Sequence, residues 1–221
     1  MVVAAKAWKT VQYEGYVISM ISVYFLLLCS YLLGSIPFGL ILAYMVSRQD
    51  IRLQGSGNIG ATNAYRVAGK LVGALTLILD LLKGSVAVIL ATKLVPDNEL
   101  IGYIAGFLAF FGHVYPVWLK FKGGKGVATA LGVVLVLFPK LALIAIFSWI
   151  TAFAMFRIVS FASVFTSAIC IGAVCLTAYH LRFLSDHTYE KSFIISSIFV
   201  IVIVRHQSNI RRMLNNTEKK L

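Results

Sequence analysis

Long apolar runs separated by short polar segments dominate the chain. A helix that crosses a bilayer needs about 20 apolar residues. Runs of that kind fall at 17–46, 71–95, 100–119, 126–138, 140–156, 158–179 and 192–204. Those seven runs predict an all-α, polytopic membrane bundle of about seven transmembrane helices. The first run is long and holds Gly34, Ser35, Pro37 and Gly39, so it is expected to tilt or kink. It is too long for the core of a signal peptide and has no clear small-x-small cleavage site, so it reads as retained. The run 126–138 is short for a span and abuts the next run across Pro139 and Lys140. Residues 1–16 read as an N-terminal tail, and 17–221 as one transmembrane domain.

Composition agrees with the pattern. The chain is 60% hydrophobic with a mean hydropathy of +0.89, well above a soluble domain. The net charge is +12, from 20 basic and eight acidic residues. The positive charge follows the loops. Thirteen Lys and Arg lie in the loop 48–70, near 120–125, at Arg157 and in the C-terminal tail, against six in the alternate set. Asp97, Glu99, Asp186 and Glu190 sit in the alternate set. The positive-inside rule then puts the N-terminus outside and the C-terminus in the cytoplasm. Cys29, Cys170 and Cys175 lie in apolar runs with no CxxC spacing, which leaves no disulfide framework or zinc site. No soluble basic domain exists that would bind nucleic acid.

This topology gathers three polar segments on one face. They are Gly55-Ser56-Gly57-Asn58-Ile59-Gly60-Ala61-Thr62-Asn63 with Arg66; Gly112-His113-Val114-Tyr115-Pro116 leading to Lys122-Gly123-Gly124-Lys125-Gly126-Val127-Ala128-Thr129; and Arg205-His206-Gln207-Ser208-Asn209-Ile210-Arg211-Arg212 with Glu218 nearby. Each joins hydrogen-bond donors to glycine or cations and is almost without carboxylates, which is the composition of an oxyanion binder. Single glycines and basic residues at a boundary are ordinary turn and topology signals, but Asn58, Thr62, Asn63 and Asn209 add nothing to charge bias. Residues 55–60 match G-x-G-x-x-G formally, without the strand–helix context a dinucleotide fold needs. The Walker pattern fails because Leu119 and Gly126 stand where Gly and Ser or Thr are required. No metal-ligand spacing is present, so no metal or other cofactor is expected. Asp80 and Lys83, three apart inside a span, read as an ion pair on one helical face that supports the site.

The three segments, together with Leu33-Gly34-Ser35-Ile36-Pro37-Phe38-Gly39 and Asp80-Leu81-Leu82-Lys83-Gly84, resemble the bacterial acyl-phosphate:glycerol-3-phosphate acyltransferases, the PlsY family. The similarity covers about residues 24–220; Asn216 departs from a common Gly. The resemblance implies a seven-helix enzyme of the bacterial inner membrane with a cytoplasmic site. It implies transfer of a fatty acyl group from acyl phosphate to the 1-hydroxyl of glycerol 3-phosphate, in phospholipid biosynthesis, without an obligate protein partner. The partners are then glycerol 3-phosphate, acyl phosphate and membrane lipid. On this reading Ser56, Arg66, Lys125 and His206 are catalytic. Gly57, Asn58, Thr62, Asn63, His113, Lys122, Gly123, Gly124, Gly126, Thr129 and Asn209 bind substrate or phosphate. Whether His206 or the acyl phosphate takes the hydroxyl proton stays open.

Rival readings are distinguishable. A transporter for a phosphorylated solute should show repeated halves and a polar path at the midplane, where the sequence places only Asp80 and Lys83. A lipid-binding protein with basic loops would tolerate loss of Asn58 or Asn63. The H-x-x-x-x-D pattern of other glycerophosphate acyltransferases is approached by His180 and Asp186, with one residue too many.

Overall fold

The computed structural model describes residues 20–181 and 188–220, all of whose regular elements are helical. The expected 1–16 tail and Asp186 lie outside these residues. The elements are α1 (20–35), α2 (Phe38–Ser47), α3 (Ala61–Ala68), α4 (Lys70–Leu94), α5 (Glu99–Val114), α6 (Val127–Leu137), α7 (Pro139–Phe156), α8 (Val159–Leu181), α9 (Thr188–Arg205) and α10 (Gln207–Leu214), with one 3-10 turn at Val117–Leu119.

The count of spans differs from the seven runs. Five helical stretches are long and apolar enough to cross a bilayer by themselves, and six if α9 and α10, bent by 52° at their junction, count as one. The run at 126–138 becomes α6, whose 11 residues rise only about 16 Å against a hydrocarbon core of about 30 Å. The kink expected in the first run appears at Ile36 and Pro37, between α1 and α2. Proline lacks an N–H and crowds the preceding turn, so the carbonyls before it need other donors.

α4 packs along α6 and against α3 and α5, while α7, α8 and α9 form a second set of antiparallel neighbours. Glycine sets the closest crossings. A methyl group at Gly84 would press on the Thr129 carbonyl, and one at Gly132 would overlap the Leu81 carbonyl, so α4 and α6 meet backbone to backbone. Within a bilayer such small-residue contacts, rather than water exclusion, drive helix association. The interior they enclose holds Phe110, Val133, Val134, Ile195, Ile198 and Val202. Large apolar side chains such as Phe25, Leu71, Phe147 and Phe193 are exposed on the outside, as expected of helices that face lipid.

Candidate active site

The segment between α2 and α3 is folded around one side chain. Asn63 is 1% exposed. Its Oδ1 accepts the Ser56 N–H at 2.8 Å, and its Nδ2 donates to the carbonyls of Ile51, Asn58 and Gln54 at 2.7, 2.9 and 3.1 Å. Gly55 takes a left-handed φ of +63°, and a Cβ there would overlap that same Oδ1. Ile51, wholly buried with Ala43, Ala64 and Val72, anchors the loop from below. Asn58 accepts the Gly60 N–H at 2.9 Å and so turns the chain into α3. The first internal bonds of α3 are accepted by the Gly60 carbonyl. The N–H groups of Ala61 and Thr62 therefore have no acceptor within the helix.

The second segment leaves α5 and doubles back. The N–H groups of Gly123 and Gly124 donate to the carbonyls of Val114 at 3.2 Å and His113 at 3.1 Å. Arg205 donates to their carbonyls, at 3.2 Å to Gly123 and 3.3 Å to Gly124. A methyl group on Gly124 would overlap the His113 ring. Gly126 has φ +81° and lies on the Phe110 ring, where no side chain fits. It opens α6, whose first internal bond runs from Ala130 N–H to the Gly126 carbonyl at 2.7 Å. The N–H groups of Val127 and Ala128 are thus unpaired within the helix and mark an anion site.

The third segment is the bend between α9 and α10. His206 is 2% exposed, and its Nδ1 lies 2.7 Å from the Val202 carbonyl. Only an N–H satisfies that oxygen, so Nε2 carries the lone pair. Lys125 Nζ donates to Asn209 Oδ1 at 2.5 Å, and Asn209 Nδ2 donates to Glu218 Oε1 at 2.6 Å. Glu218 also accepts from Ser160 at 2.7 Å and Arg212 at 2.6 Å. Burial opposes its charge, but those three hydrogen bonds and the Arg212 charge hold the carboxyl below its usual range. Burial pushes the Lys125 ammonium down to about 8; Glu218 opposes this, while Arg212, Arg66 and Arg205 add to it. Lys125, Arg66, Arg205 and Arg212 outnumber the one carboxylate among them, Glu218, and such an excess of cations suits an anionic ligand.

These segments meet at a cavity of 330 Å³. Its polar end is lined by Ser56, Asn58, Thr62, Asn63, Arg66, His113, Lys125, Gly126, His206 and Asn209. Its apolar end runs between α6, α7, α8 and α9 past Leu131, Val134, Ala145, Trp149 and Phe199. A compartment of this shape holds an anionic head and an apolar tail. Among the described residues no group of His, Cys, Asp or Glu has metal-binding geometry.

Six expected ligands stand elsewhere or serve otherwise. Gly123 and Gly124 line no part of the cavity and have both backbone groups paired, so they hold the loop and not a phosphate. Thr129 is wholly buried in the crossing of α6 with α4. Lys122 is exposed beyond the cavity, and Gly57 also lies outside its lining. Asn63 borders the cavity, but its donors and acceptor are engaged by the loop, so it is a positioning residue. Polar lining residues outside the expected site set include Ser160, Ser163, Thr166 and Ser167 of α8, beyond the bend at Arg157, and Glu218, which the third segment held only as a neighbour.

Known proteins are similar to this chain in sequence and in fold. The family model for glycerol-3-phosphate acyltransferase matches residues 24–216. A glycerol-3-phosphate acyltransferase of Syntrophotalea carbinolica is 46% identical over 204 residues, 91% of this chain and 98% of that relative. One from Myxococcus xanthus is 44% identical over 195 residues, 88% of this chain and 97% of that relative. The crystal structure of PlsY, an integral membrane glycerol 3-phosphate acyltransferase, in its glycerol 3-phosphate form superposes with a TM-score of 0.81 at 38% identity. It covers 90% of this chain and 96% of that one. The lysophosphatidic acid form gives a TM-score of 0.74 at the same identity.

Proposed function

Because this chain belongs to the glycerol-3-phosphate acyltransferase family, we propose that it moves a fatty acyl group from acyl phosphate to the 1-hydroxyl of glycerol 3-phosphate. It is a membrane acyltransferase whose product is 1-acyl-glycerol 3-phosphate, a precursor of phospholipids. One observation carries the donor assignment: a single cavity joins unpaired helix N-termini and cations at one end to an apolar compartment at the other. Both substrates bear phosphate, and only one bears a long chain.

The residues divide the work as follows. The amides of Val127 and Ala128, with Lys125 and Arg66, bind the phosphate that leaves. Ser56, Thr62 and the first-turn amides of α3 bind the phosphate of the acceptor. The Nε2 lone pair of His206 accepts from the 2-hydroxyl of the glycerol and orients the acceptor, which leaves the 1-hydroxyl proton facing the phosphate. Asn209, bridged between Lys125 and Glu218, keeps the ammonium aimed at the anion. The hydroxyl oxygen bonds to the acyl carbon, the bond from that carbon to the phosphate oxygen breaks, and phosphate departs with the electron pair. The departing phosphate takes the hydroxyl proton. Positioning and fixed cations account for the acceleration. His206 has a backbone carbonyl as its Nδ1 partner, not a carboxylate that would stabilise an imidazolium.

The test uses purified protein in lipid vesicles with labelled glycerol 3-phosphate and either palmitoyl phosphate or palmitoyl-CoA. Product from the acyl phosphate alone supports the reading; product from the CoA ester alone, or from neither, overturns it. His206→Gln separates the proton acceptors: substantial turnover with a raised KM supports the phosphate, and a loss of several orders in kcat alone supports His206. Seven membrane passages, with α6 completing the bundle, an external N-terminus and a cytoplasmic site at the bacterial inner membrane, follow from the loop charges. Labelling of single cysteines introduced at 122 and 98 from either side of intact spheroplasts checks that orientation.

A further inference from the structure

Three buried ionisable side chains lie at the phosphate end of the cavity, Asp80 and His113 on its lining and Lys83 beyond it. Asp80 and Lys83 are each 2% exposed, and His113 is 4% exposed. Lys83 Nζ lies 2.9 Å from Asp80 Oδ1 and donates to the Ile36 carbonyl at 2.9 Å. It thereby adds a second donor to an oxygen at the break that also accepts the Phe38 N–H. The same carboxylate oxygen lies 3.5 Å from His113 Nδ1. At the other edge of the ring, Nε2 abuts Gly124 so closely that a methyl group there would overlap it. The His113 carbonyl accepts the Gly124 N–H, and Lys125 is the next residue.

Asp80 gives the buried Lys83 ammonium its counter-charge, although an apolar pair of the same volume is often no less stable. Its second contact, to His113, goes beyond that charge balance. An acceptor beside Nδ1 favours the tautomer with hydrogen on Nδ1. Nε2 is then bare where it meets the Gly124 α-carbon. The other tautomer would drive an N–H into a carbon that cannot accept it, and the ring and loop would have to part.

We propose that Asp80 is a positioning residue for Lys125: it fixes the tautomer and orientation of His113, and the His113 ring supports Gly124 and so sets where the Lys125 ammonium points. Lys83 neutralises Asp80 and ties the device to the α1–α2 break. This rests on Lys125 as a phosphate ligand, but its first measurement does not depend on activity.

The experiment begins with the unaltered protein, its histidines labelled with 15N and the His113 signals assigned by loss in His113→Gln. Shifts of a neutral ring protonated on Nδ1 are the expected result; an Nε2-protonated ring overturns the proposal whatever the variants do. The second arm compares Asp80→Asn with the double variant Asp80→Asn, Lys83→Met, which restores charge balance. A displacement of about 1 Å at a reacting group costs on the order of 100-fold. The double variant is expected to remain folded in detergent, to lose the His113 signature and to fall by about that factor in kcat/KM for acyl phosphate. Recovery to within about twofold of the parent would make the pair a matter of charge balance alone and overturn the proposal. Activity lost with the tautomer unchanged would also overturn it. Failure of the parent to acylate glycerol 3-phosphate would sink the functional reading and leave the tautomer result standing.

Discussion

Raising the pH from 7 to 10 should switch off capture of acyl phosphate by removing one proton, that of Lys125. Its ammonium is held down to about 8 by burial, against Glu218 and with Arg212, Arg66 and Arg205. The charged form is the one that binds anions, so activity is present below that value and is lost as the pH rises through it. Above it the ammonium fraction falls tenfold per unit, leaving about one-tenth at pH 9. kcat/KM reports groups of the free enzyme, and its alkaline limb should fall near pH 8 with a slope of one. The bound complex behaves differently. A phosphate charge about 4 Å from the ammonium contributes about 4 kcal/mol at an effective dielectric of 20, or about three pH units. The limb in kcat should therefore lie above about pH 10. The second ionisation of the substrate phosphate, near pH 6, shapes only the acid side.

Initial rates with acyl phosphate varied at each pH, at a fixed concentration of glycerol 3-phosphate, separate the two profiles. Lys125→Arg supplies the control, because a guanidinium stays charged throughout. Its absolute rate will be lower, since a planar fork does not reproduce the single bond to Asn209, but its alkaline limb should vanish. A flat kcat/KM profile between pH 7 and 10, or a limb near pH 8 that survives in Lys125→Arg, would refute the reasoning.

Three further outcomes follow from the geometry. Glu218→Gln removes the charge that raises Lys125, so the limb in kcat/KM should move to lower pH; a shift to higher pH contradicts the assignment. Asn63→Ala strips partners from the Ser56 N–H and three carbonyls; at about 1–3 kcal/mol for unsatisfied buried groups, thermal unfolding in detergent should fall by roughly 2–12 °C, and Asn63→Asp, which cannot donate, should not rescue it. Ala145→Phe fills the apolar end of the cavity; overpacking of about 1–3 kcal/mol should shift the ratio of kcat/KM for decanoyl over palmitoyl phosphate upward by about 10-fold or more, and an unchanged ratio would place the acyl chain elsewhere.

How far the site was legible depends on what a one-dimensional pattern contains. Residue type lists the donors in a segment, and three donor-rich segments on one face of a membrane protein pointed correctly to one cavity, at which Ser56, Arg66, Lys125, His206 and Asn209 meet. Pairing is not contained in that list. Asn63, Gly123 and Gly124 have the composition of phosphate ligands, but partners within the fold occupy their polar groups. Such a residue cannot be told from a ligand until every internal bond has been counted. The converse error hid Glu218, an isolated acid in a basic tail whose three donors come from α8 and α10. Helical spacing predicted Asp80 with Lys83, since i and i+3 share a face whatever the tertiary structure, but His113, thirty residues on, enters only through the packing of α4 on α5. The span count is less legible for a related reason: hydropathy measures apolar content, whereas crossing alone also requires length, and α6 is apolar, short and packed among other helices. The anion site is therefore what remains after the fold has satisfied itself. The first-turn amides of α3 and α6, the Lys125 ammonium and the Nε2 lone pair of His206 are groups that the polypeptide leaves for substrate, and their coincidence at one end of an apolar cavity is a stronger argument for the reaction than any single motif.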